Sequence, residues 1–125
     1  MIELTEPRLV PKPWGHEKVV AETERYVGKL LRIEPGQALS RQYHRVKDET
    51  LYVLSGTLVL EIGPAAACER VLVPAGQRFR LRPGTIHRFM APEDSGCDLI
   101  EVSTPELDDV VRLEDRYGRE GTSEP

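Results

Sequence analysis

The sequence predicts a single all-β domain, built as an antiparallel sandwich or barrel. Three observations carry that prediction. The chain has 125 residues, which is one domain's worth. Its 10 glycines and 10 prolines break it at short intervals. Between the breaks lie short segments rich in Val, Leu, Ile, Tyr and Phe, and many of them alternate apolar with polar residues.

Taken in order, residues 1–13 read as an N-terminal arm. Residues 20–26 carry many charges and little apolar periodicity, which makes them a weak helix candidate. Lys29 to Ile33, Leu51 to Leu54, Thr57 to Ile62, Arg70 to Val73, Gln77 to Leu81, His87 to Met90 and Leu99 to Val102 read as strands. The turn signals Pro35-Gly36, Gly63-Pro64, Pro74-Ala75-Gly76, Pro83-Gly84, Ala91-Pro92 and Ser95-Gly96 separate them. In Gln77 to Arg82, Phe79 and Leu81 face one way while Arg78, Arg80 and Arg82 face the other. Residues 105–117 predict a short C-terminal helical segment, with Pro105 in its first turn and Leu107, Val110, Val111 and Leu113 as a partial stripe. Residues 118–125 are small and polar and read as a flexible tail.

Composition narrows the function. With 17 basic and 21 acidic residues the formal charge is −4, which argues against nucleic acid as the main partner. A small anionic ligand needs only a few local cations and stays open. No apolar run approaches the roughly 18 to 20 residues of a membrane span. The first residues show no signal peptide, and Cys68 and Cys97 have no paired spacing, so a reducing cytoplasm is the expected compartment.

The chemistry concentrates in two stretches. One runs from Gly36 through Gln42, His44 and Glu49 to Gly56, and the other from Gly76 to His87. Gln42 and His44 are two apart on an extended segment, so both side chains leave one face. Glu49 starts the strand after the turn at Arg45 to Asp48, and His87 opens a strand after Pro83-Gly84. If these strands line one barrel, Gln42, His44, Glu49 and His87 converge on a divalent cation. Two imidazoles, a carboxylate and an amide oxygen suit Zn, Mn, Fe, Co or Ni and leave open positions for substrate. A single strand histidine is more often satisfied by hydrogen bonds; the two glycine-framed spacings together are the specific signal.

This pattern resembles the two motifs of the cupin superfamily, which implies a double-stranded β-helix (jelly-roll) barrel spanning residues 1–125 as a single cupin domain. In that family Gln42 and His44 hold the places of two histidines, and Glu49 and His87 match the other ligand positions. Arg82 stands where proline is usual and Ala91 where asparagine is usual, and neither is a ligand position. KPWGHE at 12–17, PGQALSRQYH at 35–44, GTIHR at 84–88 and IEVSTPELDDVVRLEDRYGR at 100–119 resemble the type II mannose-6-phosphate isomerase family. In that family this cupin is often the C-terminal half of an enzyme fused to a mannose-1-phosphate guanylyltransferase. The chain here resembles a standalone form and shows no nucleotide-binding glycine loop. The resemblance implies a Gln-His-Glu-His zinc set. It also shows departures: Lys47 stands for an arginine, and Leu51 for a tryptophan whose loss should widen the pocket.

The activity implied is aldose–ketose isomerisation of a sugar phosphate, which moves a proton between C1 and C2. Lys29 and Glu101 are the candidate bases, and a salt bridge between them is the competing reading. Arg112, in the segment most like the isomerase family, is the first choice for substrate contact at the catalytic centre. Arg45, Lys47, Arg88 and Arg116 are candidate phosphate ligands, although strand alternation points Arg88 away from the metal. Asp108 and Asp109 read as charge near a helix N-terminus, with sugar hydroxyls as the alternative. His16 reads as exposed or capping, and Trp14 as a core or interface anchor. A homodimer is expected. Two other functions remain open at this point: a non-catalytic cupin that binds a sugar or sugar phosphate, and a non-haem Fe(II) oxygenase using His44, Glu49 and His87.

Overall fold

The computed structural model describes residues 1–106 and 108–122. Its strands are β1 (Arg8–Lys12), β2 (Gly15–Glu22), β3 (Val27–Ile33), β4 (Arg41–His44), β5 (Glu49–Ser55), β6 (Thr57–Ile62), β7 (Glu69–Pro74), β8 (Arg78–Leu81), β9 (His87–Met90), β10 (Cys97–Ser103) and β11 (Val110–Glu114). A single 3-10 turn, Ala65–Ala67, lies between β6 and β7. The strands form two antiparallel sheets, with orders β1-β2-β3-β10-β5-β8 and β11-β4-β9-β6-β7. The all-β expectation therefore holds.

Three local expectations give way to pairing across the sheets. Residues 20–22 continue β2, and the chain then turns through Thr23, whose backbone N–H donates to the carbonyl of Tyr26. Residues 8–12 of the expected arm form β1 and pair with β2. The C-terminal helical segment is not formed: Val110–Glu114 is a strand, paired antiparallel with β4 as Val110↔His44 and Arg112↔Gln42. Val110, Val111 and Leu113 fit either period over so short a run. The β-branched Val110 and Val111 suit a pleated ladder, and the free edge of β4 supplies the partner. Leu107, the first residue of the expected stripe, lies outside the described residues, as do residues 123–125 of the expected tail.

The core sits between the sheets. Ile33, Leu51, Val53, Leu58, Cys97 and Leu99 are fully buried, and Trp14 packs with them at 2% exposure. Alternation places them there: in β3 the buried residues are Val27, Lys29, Leu31 and Ile33, and in β10 Cys97, Leu99, Glu101 and Ser103. Across the antiparallel pair, Ile33 and Leu31 lie opposite Cys97 and Leu99 at the apolar end, and Lys29 lies opposite Glu101 towards the polar end. The apolar end is filled, and the polar end is left for the site.

Gly15, the first residue of β2, holds the strand against β3. It has φ +154°, and a Cβ there would meet the Arg32 carbonyl oxygen at 1.8 Å. Gly76 has φ +92° but open space around it. We expect Gly15→Ala to destabilise the fold by about 3 kcal/mol in urea melts, because backbone must move. Gly76→Ala should cost only about 1 kcal/mol, from its left-handed conformation alone. Equal costs would mean the close approach at Gly15 is not what holds β2.

Candidate metal centre

The two sheets meet around a group of three possible ligands. His44 ends β4, His87 opens β9, and Glu49 opens β5, so two ligands come from one sheet and one from the other. One donor atom from each lies within 4.8 Å of the others. All three are buried, His87 to 2% exposure and Glu49 to 3%. The His44 and His87 rings are stacked, with centroids 6.0 Å apart.

Hydrogen bonds leave each imidazole with a lone pair facing inward. His87 Nδ1 lies 2.9 Å from the Thr85 carbonyl oxygen, which can only accept, so the proton sits on Nδ1. His87 Nε2 is then a buried acceptor with no hydrogen-bond partner among the described residues, 3.6 Å from Glu49 Oε1. His44 Nδ1 likewise donates to Asp109 Oδ1 at 3.0 Å. Asp109 Oδ2 accepts the backbone N–H groups of Val46 and Lys47, both at 2.8 Å. A carboxylate behind a ligating histidine is a common way to fix its tautomer and orientation. Asp109 is therefore no helix N-terminal charge. Burial works to raise its pKa, and the Lys47 and Val46 amides together with His44 outweigh that and hold it below the usual carboxylate range.

Gln42 stands beside His44 on β4, directly opposite His87 in the ladder. Its Nε2 lies 3.4 Å from His44 Nε2, while Ser40 Oγ donates to its Oε1 at 2.6 Å. The serine hydroxyl can also accept, so turning the amide over keeps that bond and presents the oxygen to the centre. The donor set thus fits a divalent cation of the borderline type: two imidazole nitrogens with free lone pairs, one carboxylate, and one amide within reach.

A buried ion-pair group lies beside the ligands. Lys47 Nζ is 3.0 Å from Glu101 Oε2 and 3.3 Å from Glu49 Oε2. This leaves Glu49 Oε1 on the histidine side. Burial alone would lower the Lys47 pKa, but Glu101 and Glu49 hold it well above the usual lysine range. Glu49 is pushed up to about 8, first by burial and then by Glu101, with Lys47 opposing. Burial would raise Glu101 too, yet Lys47 and Lys29 outweigh it and the net direction is down. Both histidines are lowered by burial, and Lys47 adds to this.

The cavity above these groups is about 570 Å³, counted to its open mouth. Of the residues singled out in the sequence, Gln42, His44, Glu49, Lys29, Glu101, Arg112 and Lys47 line it, and His87 lies buried beneath. Lys29 and Glu101 are partners across the β3–β10 ladder but are not bridged to each other: Lys29 pairs with Glu17 Oε1 at 3.0 Å. Three candidate phosphate ligands lie elsewhere. Arg45 is exposed in the turn, where Asp109 holds the two following amides. Arg88 donates through Nε to the Leu39 carbonyl at 3.0 Å, on the outer side as its strand phase requires. Arg116 donates to the Gly36 carbonyl at 2.9 Å. Leu51 points inward and belongs to the core below the cavity. His16 is half-buried in β2, and Trp14 is a core residue that also lines the cavity wall. The sequence reading missed Lys12, Glu17 and Arg119, which also line it. The lysine and glutamate of KPWGHE were legible as charges, but their neighbours are not in that segment.

The mannose-6-phosphate isomerase C-terminal family model matches residues 3–115. The chain belongs to that family. Among curated relatives, mannose-1-phosphate guanylyltransferase ManC of Salmonella typhimurium is 37% identical over 115 residues, covering 90% of this chain and 23% of that protein. Xanthan biosynthesis protein XanB of Xanthomonas campestris is 34% identical over 120 residues, covering 94% of this chain and 25% of that protein. The chain thus spans about a quarter of the length of the curated relatives it matches. Among solved structures, capsular polysaccharide assembling protein CapF of Staphylococcus aureus superposes with TM-score 0.78 at 18% identity, covering 89% of this chain and 32% of that one. A cupin-superfamily sugar phosphate isomerase of Silicibacter pomeroyi gives 0.66 at 21% identity, covering 78% and 64%. At these identities the structural matches establish the fold, a cupin double-stranded β-helix. Among the described residues of this family member, no helix is long and apolar enough to cross a membrane.

Two predictions concern the centre. His44→Ala and His87→Ala should each lose bound metal by elemental analysis, and His16→Ala should keep it. Asp109→Ala should weaken metal affinity roughly 10- to 100-fold in competition with a chelating dye, because the His44 ring loses its anchor. The second prediction is one of stability. Folded His87 is pushed down to about 4 by burial, against 6.5 for the free side chain. As pH falls, the unfolded chain takes up this proton first, so stability is lost between those two values. In chelator-treated protein, wild type should lose up to about 3 kcal/mol relative to His87→Gln over that window in urea melts. A pH-independent difference would mean that His87 is not held neutral by the fold.

Proposed function

We propose that this cupin domain is a metal-dependent aldose–ketose isomerase acting on a sugar phosphate, of the mannose 6-phosphate to fructose 6-phosphate kind, with zinc as its metal. The observation that carries the reading is a preorganised His-Glu-His donor set at one cavity, with His44 and Glu49 on its wall and His87 buried beneath, and a buried, charge-balanced carboxylate, Glu101, on the same wall. Family membership supports the substrate class. The mixed nitrogen and oxygen donors, and the resemblance to a Gln-His-Glu-His zinc set, support zinc.

His44, Glu49 and His87, with Gln42 as fourth donor, would hold a divalent ion, and when bound it would supply Lewis-acid stabilisation of the negative charge that develops on the sugar oxygens. The rest falls to the chain. Glu101 takes the proton from C2 and returns it to C1 while the O2 hydroxyl proton passes to O1, and the Lys47 ammonium at 3.0 Å keeps Glu101 ionised for the first half of that cycle. The Ser103 hydroxyl donates to the same carboxylate oxygen at 3.3 Å and limits its rotation. Lys29, held by Glu17, presents its ammonium to the cavity and orients a sugar hydroxyl or oxyanion. Leu31, Leu39 and Phe89 line the wall between polar groups and limit water at the reacting carbons.

The test is turnover of mannose 6-phosphate in a coupled assay, with exchange of the C2 proton into solvent as the second readout. Glu101→Gln should lower kcat by roughly 10²- to 10⁴-fold while keeping its metal. Stoichiometric zinc without proton exchange would leave a sugar-phosphate binding module. Iron with oxygen uptake would indicate an oxygenase.

A further inference from the structure

The cavity carries more positive charge than its reacting end requires. Among the described residues, Lys12, Lys29, Lys47, Arg112 and Arg119 line it, with the carboxylates Glu17, Glu49 and Glu101. Every carboxylate on the wall is committed. Glu17 holds Lys29, while Glu49 and Glu101 share Lys47. Arg119 is held by Asp115, and Arg112 donates through a terminal nitrogen to Thr122 Oγ1 at 2.8 Å.

Lys12 differs from the rest. It ends β1, is half-buried, and its ammonium has no ion pair or hydrogen bond among the described residues. Burial and the neighbouring Lys29, Arg119 and Arg112 depress its pKa against the pull of Glu17. A buried ammonium crowded by like charges is costly unless an anion joins it. The chain also holds the surrounding cations in place. The Gly121 N–H donates to the Arg112 carbonyl at 2.9 Å, which folds residues 118–121 back along β11. Asp115 then grips the Arg119 guanidinium at two nitrogens, 2.9 and 3.0 Å away.

We propose that Lys12, together with Arg119 and Arg112, seats the phosphate monoester of the substrate at the cavity mouth. The sugar carbons then reach inward to His44, Glu49 and His87. A phosphate monoester carries about −1.5 to −2 charges at pH 7, which suits an ammonium and guanidinium groups gathered on one wall. It offers several acceptor oxygens to donors arriving from different strands, and arginine forks suit that geometry. The inference deepens the sugar-phosphate reading and rests on it for the ligand's identity.

Calorimetric titration of the full, metal-loaded chain tests it with inorganic phosphate, mannose 6-phosphate and mannose. Lys12→Gln should weaken both phosphate-bearing ligands by roughly tenfold or more and Lys12→Arg by no more than about threefold, because a charge-assisted contact is lost in one and kept in the other. Mannose binding should not move, and Arg78→Gln, exposed on β8, should behave as wild type. Arg119→Gln is the second variant and should weaken the same two ligands. Wild-type affinity for phosphate in both Lys12→Gln and Arg119→Gln overturns the proposal, as does no phosphate binding by wild type. Lys12-dependent phosphate binding without isomerase turnover would keep this seat and remove the isomerase reading. Turnover whose KM ignores Lys12 and Arg119 would do the reverse.

Discussion

Charge balance inside the lumen is the constraint on which the site depends. Taking a carboxylate or an ammonium out of water costs several kcal/mol even after relaxation, so each buried ion needs a partner in good geometry. Lys47 meets that need for Glu49 and Glu101 together, Glu17 meets it for Lys29, and burial keeps both histidines neutral. These pairs are weak contributors to net stability. Their effect is on position: Lys47 takes one oxygen of Glu49 and leaves the other beside His87. The apolar half of the same strands makes this tolerable. Leu31, Ile33, Leu51, Val53 and Leu99 fill one end and fix the spacing of the sheets, so the ionic end does not have to.

The centre draws ligands from both layers of the sandwich. Glu49 belongs to the six-stranded sheet, His44 and His87 to the five-stranded one. The distance between carboxylate and imidazoles is therefore set in part by side chains that offer no donor atom of their own. Phe89 exemplifies this: it follows His87 by two residues on β9, packs at 5.2 Å against the His87 ring, and meets Phe79 of the opposing sheet edge-on.

Much of the fold was legible because half-buried strands write their alternation into the chain, as Lys29-Leu31-Ile33 and Leu99-Glu101 do. The ligand spacing was legible for the same reason: Gln42 and His44 share a strand face, and His87 follows a Pro-Gly turn. What stayed hidden was recruitment between distant segments. Val110 to Leu113 satisfies a helical or an extended period, and only the vacant edge of β4 decides. Asp109 reads locally as a surface charge, and its role follows from the turn at Val46 and Lys47 lying within its reach. Lys12 and Arg119 sit in stretches that looked like an arm and a tail. Arg45 and Lys47 share a strand phase on paper, but the turn that Asp109 closes leaves the first in solvent and buries the second.

The Asp109 anchor has a consequence for how the molecule is made. His44 and the aspartate that orients it are 65 residues apart, and Arg41 and Glu114, which flank the same pair of strands, are 73 apart. Contacts so remote in sequence slow folding, because loop closure must precede any gain from pairing. During translation, His44, Glu49 and His87 leave the ribosome well before the strand that completes their surroundings. A cation taken up by these side chains would meet the full geometry only once β11 has docked, so a nascent chain holds its imidazoles before their orientation is fixed.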